Sequence, residues 1–243
     1  MARLFESLFE NADAYIELVK LVAKRKEGVR RAELKVDAIL SSGGGRLSKR
    51  LQDLKEAGFI GENISWGRST GEYYKLTDEF CLFYLQWVGS QKQKKFTPDY
   101  WLNQSQRPSY YAWSGYAFEA VCMKHVDHII HALKIRAGGQ VTAWRFIPRK
   151  KIAEGAQIDL VIDRSDNAIT VCEIKYTDQP YTIDKQYAKN LEKKINVFRG
   201  KTGTNKQIFL AMICANGLKN SAYSEKLING GTVTLNDLFY QIS

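Results

Sequence analysis

The sequence predicts an α/β chain, α+β overall, made of two modules. Residues 13–57 carry apolar side chains at helical spacing and precede a short strand–turn–strand pattern. Residues 113–243 give the order helix, strand, strand, strand, helix, strand, which is typical of a mixed sheet flanked by helices. Between them, residues 89–108 are polar and basic, and residues 89–112 are predicted to be a linker. We therefore expect one domain over residues 1–88 and a second over residues 113–243.

Composition and charge limit the classes of function. The chain has 243 residues and a net charge of +10, which favours an acidic partner such as nucleic acid, although a merely basic surface is the alternative. No signal peptide opens the sequence, and no run approaches the roughly 20 apolar residues of a membrane span. The four cysteines stand far apart without a C-x-x-C pair, which is typical of reduced thiols. We expect a cytoplasmic protein with no membrane partner and no zinc.

The N-terminal module is predicted to contain three helices followed by a β-hairpin. Helical spacing predicts helices over residues 13–24, 29–40 and 46–57, and the last of them places three leucines on one face. A strand begins at residue 59, and residues 72–76 return after a turn rich in glycine. This order is that of a winged helix, a variant of the helix-turn-helix.

The outward face of the third helix is polar and basic. Such side chains suit contacts with phosphates and base edges, and another cation lies at the predicted hairpin tip. A protein–protein module with a solvated basic face is the alternative. The predicted nucleic-acid contacts of this module are Arg46, Ser48, Lys49, Arg50, Gln52 and Arg68.

The segment after the hairpin is predicted to be a connecting helix. Thr77 or Asp78 is suited to be its N-cap. The residues that follow, up to Val88, are apolar nearly all round, which predicts a buried helix.

The C-terminal module is predicted to alternate helices with short strands. Helical spacing covers residues 113–133 and 181–198, whereas β-branched runs indicate strands. The predicted strands are residues 141–147, 157–163, 169–175, 207–214 and 232–235, followed by a helical turn near residues 238–239.

Three charged residues interrupt the two central apolar strands. Glu173 and Lys175 are two positions apart and share a face, and Asp159 lies at the corresponding end of the preceding strand. A suitable register brings the two carboxylates together. Such charges are costly unless they pair or bind something, and two carboxylates beside an ammonium suit Mg²⁺ or Mn²⁺ and an activated water. A structural ion pair of Glu173 with Lys175 or Arg145 is the alternative.

An Asp, a hairpin and then Glu-x-Lys resemble the signature of the PD-(D/E)xK nuclease superfamily, with Ile158 in place of the strict Pro. The resemblance implies a restriction-endonuclease-like fold. It also implies that Asp159 and Glu173 ligate Mg²⁺, or Mn²⁺, together with the Ile174 carbonyl. Lys175 is then expected to position the attacking water.

Two further residues match the wider pattern of the superfamily. Glu119 lies on the helix before the first core strand, and the resemblance implies that it binds metal through water or at a second ion. Gln186 lies on the helix after Glu-x-Lys and is expected to orient a ligand or touch the phosphate. A basic turn between the first two strands suits a phosphate grip, with a solvated loop as the alternative. Its residues are Arg149, Lys150 and Lys151.

Nearly the whole chain resembles the C-terminal half of prokaryotic P-loop, AAA-type ATPases, in which a winged helix and a nuclease-like domain follow the ATPase module. No P-loop motif is present in this chain. The resemblance implies DNA and an ATPase module or chain as partners, and a metal-dependent DNA nuclease as the function. The alternative is a non-catalytic DNA-binding or assembly module, the detached part or partner of such an ATPase.

Overall fold

The computed structural model describes residues 1–25, 28–34, 44–63, 66, 73–89, 98–148 and 155–240. The chain divides into two compact units. The first comprises residues 1–64 and 69–120, and the second comprises residues 65–68 and 121–243. Helices combine with a two-stranded and a five-stranded sheet, which confirms the predicted α/β class. In the described part of the chain, no helix is long and apolar enough to cross a bilayer.

The first unit begins with helices and an antiparallel hairpin. Val29 bridges to Tyr74, so the chain is extended where a second helix was expected to begin, and that helix starts at Arg31 instead. The elements are α1 (Ala2–Leu8), α2 (Ala12–Ala23), α3 (Arg31–Leu34), α4 (Gly44–Glu56), β1 (Ile60–Asn63) and β2 (Tyr73–Leu76).

The core of this hairpin and its helices forms around α4. Leu47, Leu51 and Leu54 are buried, as their spacing predicts, and they cluster with Leu18 of α2 and Phe59 before β1. The polar positions of α4 are therefore left on the opposite side of the helix.

The segment after β2 is helical, but it is only partly buried, whereas the sequence predicted a buried helix. The side chain of Asp78 caps α5 (Glu79–Phe83) by accepting a hydrogen bond from the Cys81 amide at 2.7 Å. Cys81 is buried, whereas Phe80 is 47% exposed and Phe83 is 36% exposed. The two phenylalanines lie three residues apart and share a helix face, which Cys81 does not occupy. The helix continues as a π-helix over Tyr84–Val88.

Two more helices follow, and the second of them ends earlier than predicted. They are α6 (Tyr100–Ser105) and α7 (Pro108–Lys124). The helix expected over residues 113–133 is broken at His125, whose φ of −109° and ψ of 30° are not helical, and α8 (Val126–Ala132) starts after it. The apolar residues keep helical spacing on both sides of His125, so hydrophobic periodicity does not reveal the break.

The second unit is a mixed five-stranded sheet with helices. Strands β3, β4 and β5 pair antiparallel, and β5, β6 and β7 pair parallel, in the order β3-β4-β5-β6-β7. The predicted strand order along the chain is present. The elements are β3 (Gly139–Phe146), β4 (Ala156–Arg164), β5 (Ala168–Lys175), α9 (Lys185–Thr202), β6 (Gln207–Cys214), α10 (Ala222–Leu227), β7 (Gly231–Val233) and a 3₁₀ helix (Asn236–Phe239).

Helix α9 begins four residues later than predicted. Tyr181 is extended and bridges to Leu218, and its amide donates to the carbonyl of Gly217 at 2.9 Å. The side chain of Asp184 then caps the helix by accepting from the Tyr187 amide at 2.7 Å. The cap therefore sets where α9 starts.

The apolar face of α9 packs on the sheet. Ala188, Leu191 and Phe198 of the helix cluster with buried residues of the central strands, among them Val171 and Met212. This packing fixes which side chains of α9 lie over the ends of β4 and β5.

We expect the Asp184→Ala substitution to lower the free energy of unfolding by about 1 kcal/mol, because the first turn of α9 loses its capping acceptor. Lys189→Ala at an exposed position of the same helix is the matched control and should change stability by less than about 0.5 kcal/mol. Urea denaturation followed by circular dichroism measures both. Equal stability of the two variants would contradict the capping role.

Candidate functional site

A β-bulge in β4 lies at Asp159. The register between β3 and β4 shifts between Thr142 and Trp144, so that Ala143 alone faces two residues of β4, Asp159 and Leu160. A bulge of this kind bends its strand and re-aims the side chains at that point. Asp159 is thus placed by an irregularity of the sheet, which a plain alternation of apolar residues does not reveal.

The pairing of β4 with β5 brings the two predicted carboxylate residues together. Leu160 is opposite Cys172, so the next position places Asp159 beside Glu173. Asp159 Oδ2 accepts a hydrogen bond from the amide of Ile174 at 3.4 Å. The main-chain contact of Ile174 with Asp159 is therefore made by its amide.

Three side chains bind the buried carboxylate of Glu173. Its Oε1 accepts from the hydroxyl of Tyr187 at 2.6 Å and lies 3.0 Å from the ammonium of Lys175. The Lys194 ammonium donates to both oxygens, at 2.8 Å to Oε1 and 2.7 Å to Oε2. Tyr187 and Lys194 are seven residues apart on α9, about two helical turns, so both reach the same carboxylate.

Lys175 has a second, aromatic contact. Its ammonium lies 5.1 Å from the ring centroid of Tyr187, which favours the charged form. The ring of Tyr181 packs edge-on against Tyr187 at 5.3 Å. The ion pair of Glu173 with Lys175 that the sequence left open is thus present, within a larger cluster.

The pKa values of the two carboxyls are displaced in opposite directions. Burial raises the pKa of Asp159, and the negative charge of Glu173 raises it further. Burial alone also favours protonated Glu173, but the ammoniums of Lys194 and Lys175 outweigh it and hold the pKa of Glu173 below its ordinary value. Burial disfavours the charge of Lys175, yet Glu173 outweighs burial and raises the Lys175 pKa.

The donor atoms fit a hard divalent cation at Asp159. Among the described residues, the oxygens of Asp159 accept only long hydrogen bonds, from Gln157 at 3.5 Å and from the Ile174 amide. Glu173 Oε2 is available to such an ion where Lys194 gives way. No group of three or more His, Cys, Asp or Glu side chains in the described part of the chain is placed to hold a metal. Water or a backbone carbonyl would complete the coordination.

The wider pattern predicted two more site residues, Glu119 and Gln186. Glu119 lies on α7 in the first unit, where its Oε2 is 3.7 Å from the ammonium of Lys75. Gln186 is exposed in the first turn of α9, and its neighbour Tyr187 is the residue that reaches Glu173. The roles assigned to Glu119 and Gln186 stay predictions.

Sequence reasoning missed Tyr187 and Lys194 as site residues. Helical spacing places Tyr187 among the apolar positions of α9, and the local pattern does not distinguish Lys194 from the other lysines of that helix. The available signal was spacing, because Lys194 lies seven residues after Tyr187 and next to Ile195, on the helix face that packs on the sheet. A lysine on such a face predicts a buried acidic partner.

The polar face of α4 that was predicted to contact nucleic acid is present, but several of its side chains are paired within the protein. Arg46 is exposed, whereas Lys49 pairs with Asp53 at 2.9 Å and Gln52 donates to Glu56 at 2.7 Å. Ser48 accepts from Arg31, and Arg50 is half-buried. The remaining predicted contacts, Arg68, Arg149, Lys150 and Lys151, lie outside the described residues.

We expect the Asp159→Asn substitution to raise the melting temperature at neutral pH. A carboxyl whose pKa is raised by folding destabilises the fold while it is ionised, and asparagine removes that charge. The advantage should shrink as the pH falls through the raised pKa, because the wild-type carboxyl then takes up its proton. Calorimetry at neutral and acidic pH measures the difference, at about 2–4 °C per kcal/mol.

Asp178→Asn, at an exposed position after β5, is the matched control and should show no such pH-dependent gain. A lower melting temperature of Asp159→Asn at neutral pH would mean that the ionised carboxylate stabilises the fold.

Comparisons with family models, with curated proteins and with solved structures found no match for this chain. A proposal of function for this chain therefore rests on the residues and their geometry. The features that carry it are the bulge at Asp159, the buried Glu173 and the ammonium of Lys175 beside it.

Proposed function

We propose that this protein is a metal-dependent DNA nuclease that hydrolyses phosphodiester bonds. The observation that carries the proposal is the meeting of Asp159, Glu173 and Lys175 at one end of the β4–β5 hairpin. Two carboxylates that can bind a divalent cation, with an ammonium beside them, suit metal-dependent phosphodiester hydrolysis. The PD-(D/E)xK resemblance supports the same assignment.

In this proposal Asp159 and Glu173 hold Mg²⁺ or Mn²⁺. The bound ion supplies Lewis-acid polarisation of the phosphate and an activated water. The Lys175 ammonium, whose raised pKa keeps it charged, offsets negative charge that develops on the phosphate. The Tyr187 hydroxyl holds Glu173 in place from α9.

The first unit would supply affinity for DNA as a winged helix. Its helices and hairpin follow the order of that motif, and α4 presents Arg46 to solvent. The net charge of +10 supports an acidic partner. Glu119, Gln186 and the basic turn over residues 149–151 retain their proposed roles at the phosphate or a second metal.

The proposed location is the cytoplasm. All four cysteines are buried and free, which is typical of a reducing compartment. An ATPase module or a separate ATPase chain is the second partner that we propose, on the resemblance of the chain to the C-terminal half of such proteins.

We expect the wild-type protein to cut supercoiled plasmid and labelled linear DNA with Mg²⁺ or Mn²⁺, and not with a chelator. Asp159→Ala removes a metal ligand and Lys175→Ala removes the stabilising charge, so each should slow cleavage by about 100-fold or more. Asp178→Ala and Lys189→Ala, both at exposed positions, are the matched controls and should retain wild-type rates. Equal rates for all five proteins would identify a contaminating nuclease and contradict the proposed site.

We expect Arg46→Ala to weaken binding to duplex DNA through loss of a phosphate contact. The slope of log affinity against log salt should fall by about 1, measured by fluorescence anisotropy at several salt concentrations. Arg3→Ala on α1, another exposed arginine of the first unit, is the matched control. An unchanged slope for Arg46→Ala would place DNA binding elsewhere.

A second candidate is a non-catalytic DNA-binding or assembly module. The charges favour it, because the two ammoniums of Lys175 and Lys194 balance the two carboxylates without a metal. Binding of DNA that is insensitive to metal, with no cleavage by folded wild-type protein, would select this candidate.

A further inference from the structure

The Lys194 ammonium contacts both carboxylate oxygens of Glu173, as a metal ion bound to a bidentate carboxylate does. Its ammonium lies 2.8 Å from Oε1 and 2.7 Å from Oε2, whereas Lys175 and Tyr187 contact Oε1. We propose that Lys194 is an internal competitor of the divalent cation: it occupies Glu173 while the metal is away and must leave when the metal binds. This inference rests on the proposed metal site and concerns the regulation of that site.

Glu173 cannot easily bind Lys194 and a divalent ion at the same time, because it has too few free lone pairs and because the two cations repel each other. Glu173 is only 4% exposed at its side chain, and Oε1 already accepts from three donors. Oε2 is the oxygen left for a metal, and Lys194 is the partner it has among the described residues. A divalent ion at this oxygen would lie beside an ammonium in a poorly solvated setting, where like charges repel strongly.

Lys194 is the cation of the cluster that can leave. The two lysine side chains are similarly exposed, Lys194 at 26% and Lys175 at 29%, so exposure does not separate them. Lys194 rises from helix α9, and its flexible stem can carry the ammonium into water. Lys175 projects from the buried strand β5 and is also held against the ring of Tyr187. The two lysines thus have different roles. Lys175 remains in place when the metal binds, whereas Lys194 occupies Glu173 Oε2 until the metal displaces it.

As a consequence, the side chain of Glu173 is held in place before the metal binds. Lys194 keeps the buried carboxylate of Glu173 paired, which avoids an isolated buried charge. The same contact raises the concentration of metal needed for loading. A positioning role alone predicts that removing Lys194 weakens metal binding, whereas competition predicts the opposite sign.

The first test is Mn²⁺ binding, measured by isothermal titration calorimetry on the full chain without DNA. Lys194→Met keeps the length and packing of the stem and should bind Mn²⁺ at least 10-fold more tightly than wild type. Lys189→Met, exposed on the same helix, should bind as wild type does. Adding Asp159→Asn to Lys194→Met should remove the gain, since the ion then loses a ligand.

A second test uses the unaltered protein, so it does not depend on how a variant folds. Lysine acetylation by a small reagent is followed by mass spectrometry with and without Mn²⁺. Mn²⁺ should increase the rate at Lys194 several-fold and leave the rate at Lys189 unchanged.

Unchanged or weaker Mn²⁺ binding by folded Lys194→Met, or an acetylation rate at Lys194 that Mn²⁺ does not raise, would overturn the competition. Absence of Mn²⁺ binding in every protein would overturn it as well. Tight Mn²⁺ binding by Lys194→Met without DNA cleavage would uphold the competition and reject only the proposed nuclease reaction.

Discussion

The charge of Glu173, buried in β5 beneath α9, is the constraint on which the second unit depends. A carboxylate removed from water must be paired, and here Tyr187, Lys175 and Lys194 supply the donors. Two of these three residues come from α9. The helix is therefore tied to the sheet by a polar contact as well as by its apolar face, and the contact specifies the rotation of the helix about its axis.

The same arrangement explains why the two carboxyls differ. Glu173 has the cationic partners and a lowered pKa, whereas Asp159, at the bulge, has long hydrogen bonds and a raised pKa. The described part of the chain thus supplies close cationic and hydrogen-bonding partners to Glu173 but not to Asp159. An acid left in that state is a group that gains from an external cation, which links the electrostatics of the fold to the proposed metal chemistry.

The two candidate functions differ in which cations balance the negative charges of Asp159 and Glu173. With Lys175 and Lys194 in place, the charge of Glu173 is paired within the protein and no metal is needed for it, which is compatible with a binding module. With Lys194 turned out to solvent, the cluster gains a free carboxylate oxygen beside Asp159. The proposed metal and the Lys194 ammonium would therefore use the same oxygen of Glu173, Oε2.

Local pattern was enough to predict the strands, most of the helices and the Glu-x-Lys face, because alternation and helical spacing are properties of neighbouring residues. It also placed the cap of α5 at Thr77 or Asp78, and the structure selects Asp78. It did not predict α1, α10 or the break at His125. Tertiary structure alone decided that Tyr187 and Lys194 meet Glu173, 14 and 21 residues earlier in the chain, and that a bulge lies at Asp159. Periodicity tells which face of a helix is buried, but the residues opposite that face follow from how the elements pack. The exposure of Phe80 and Phe83 has the same origin, since an apolar side chain is buried only where another surface covers it.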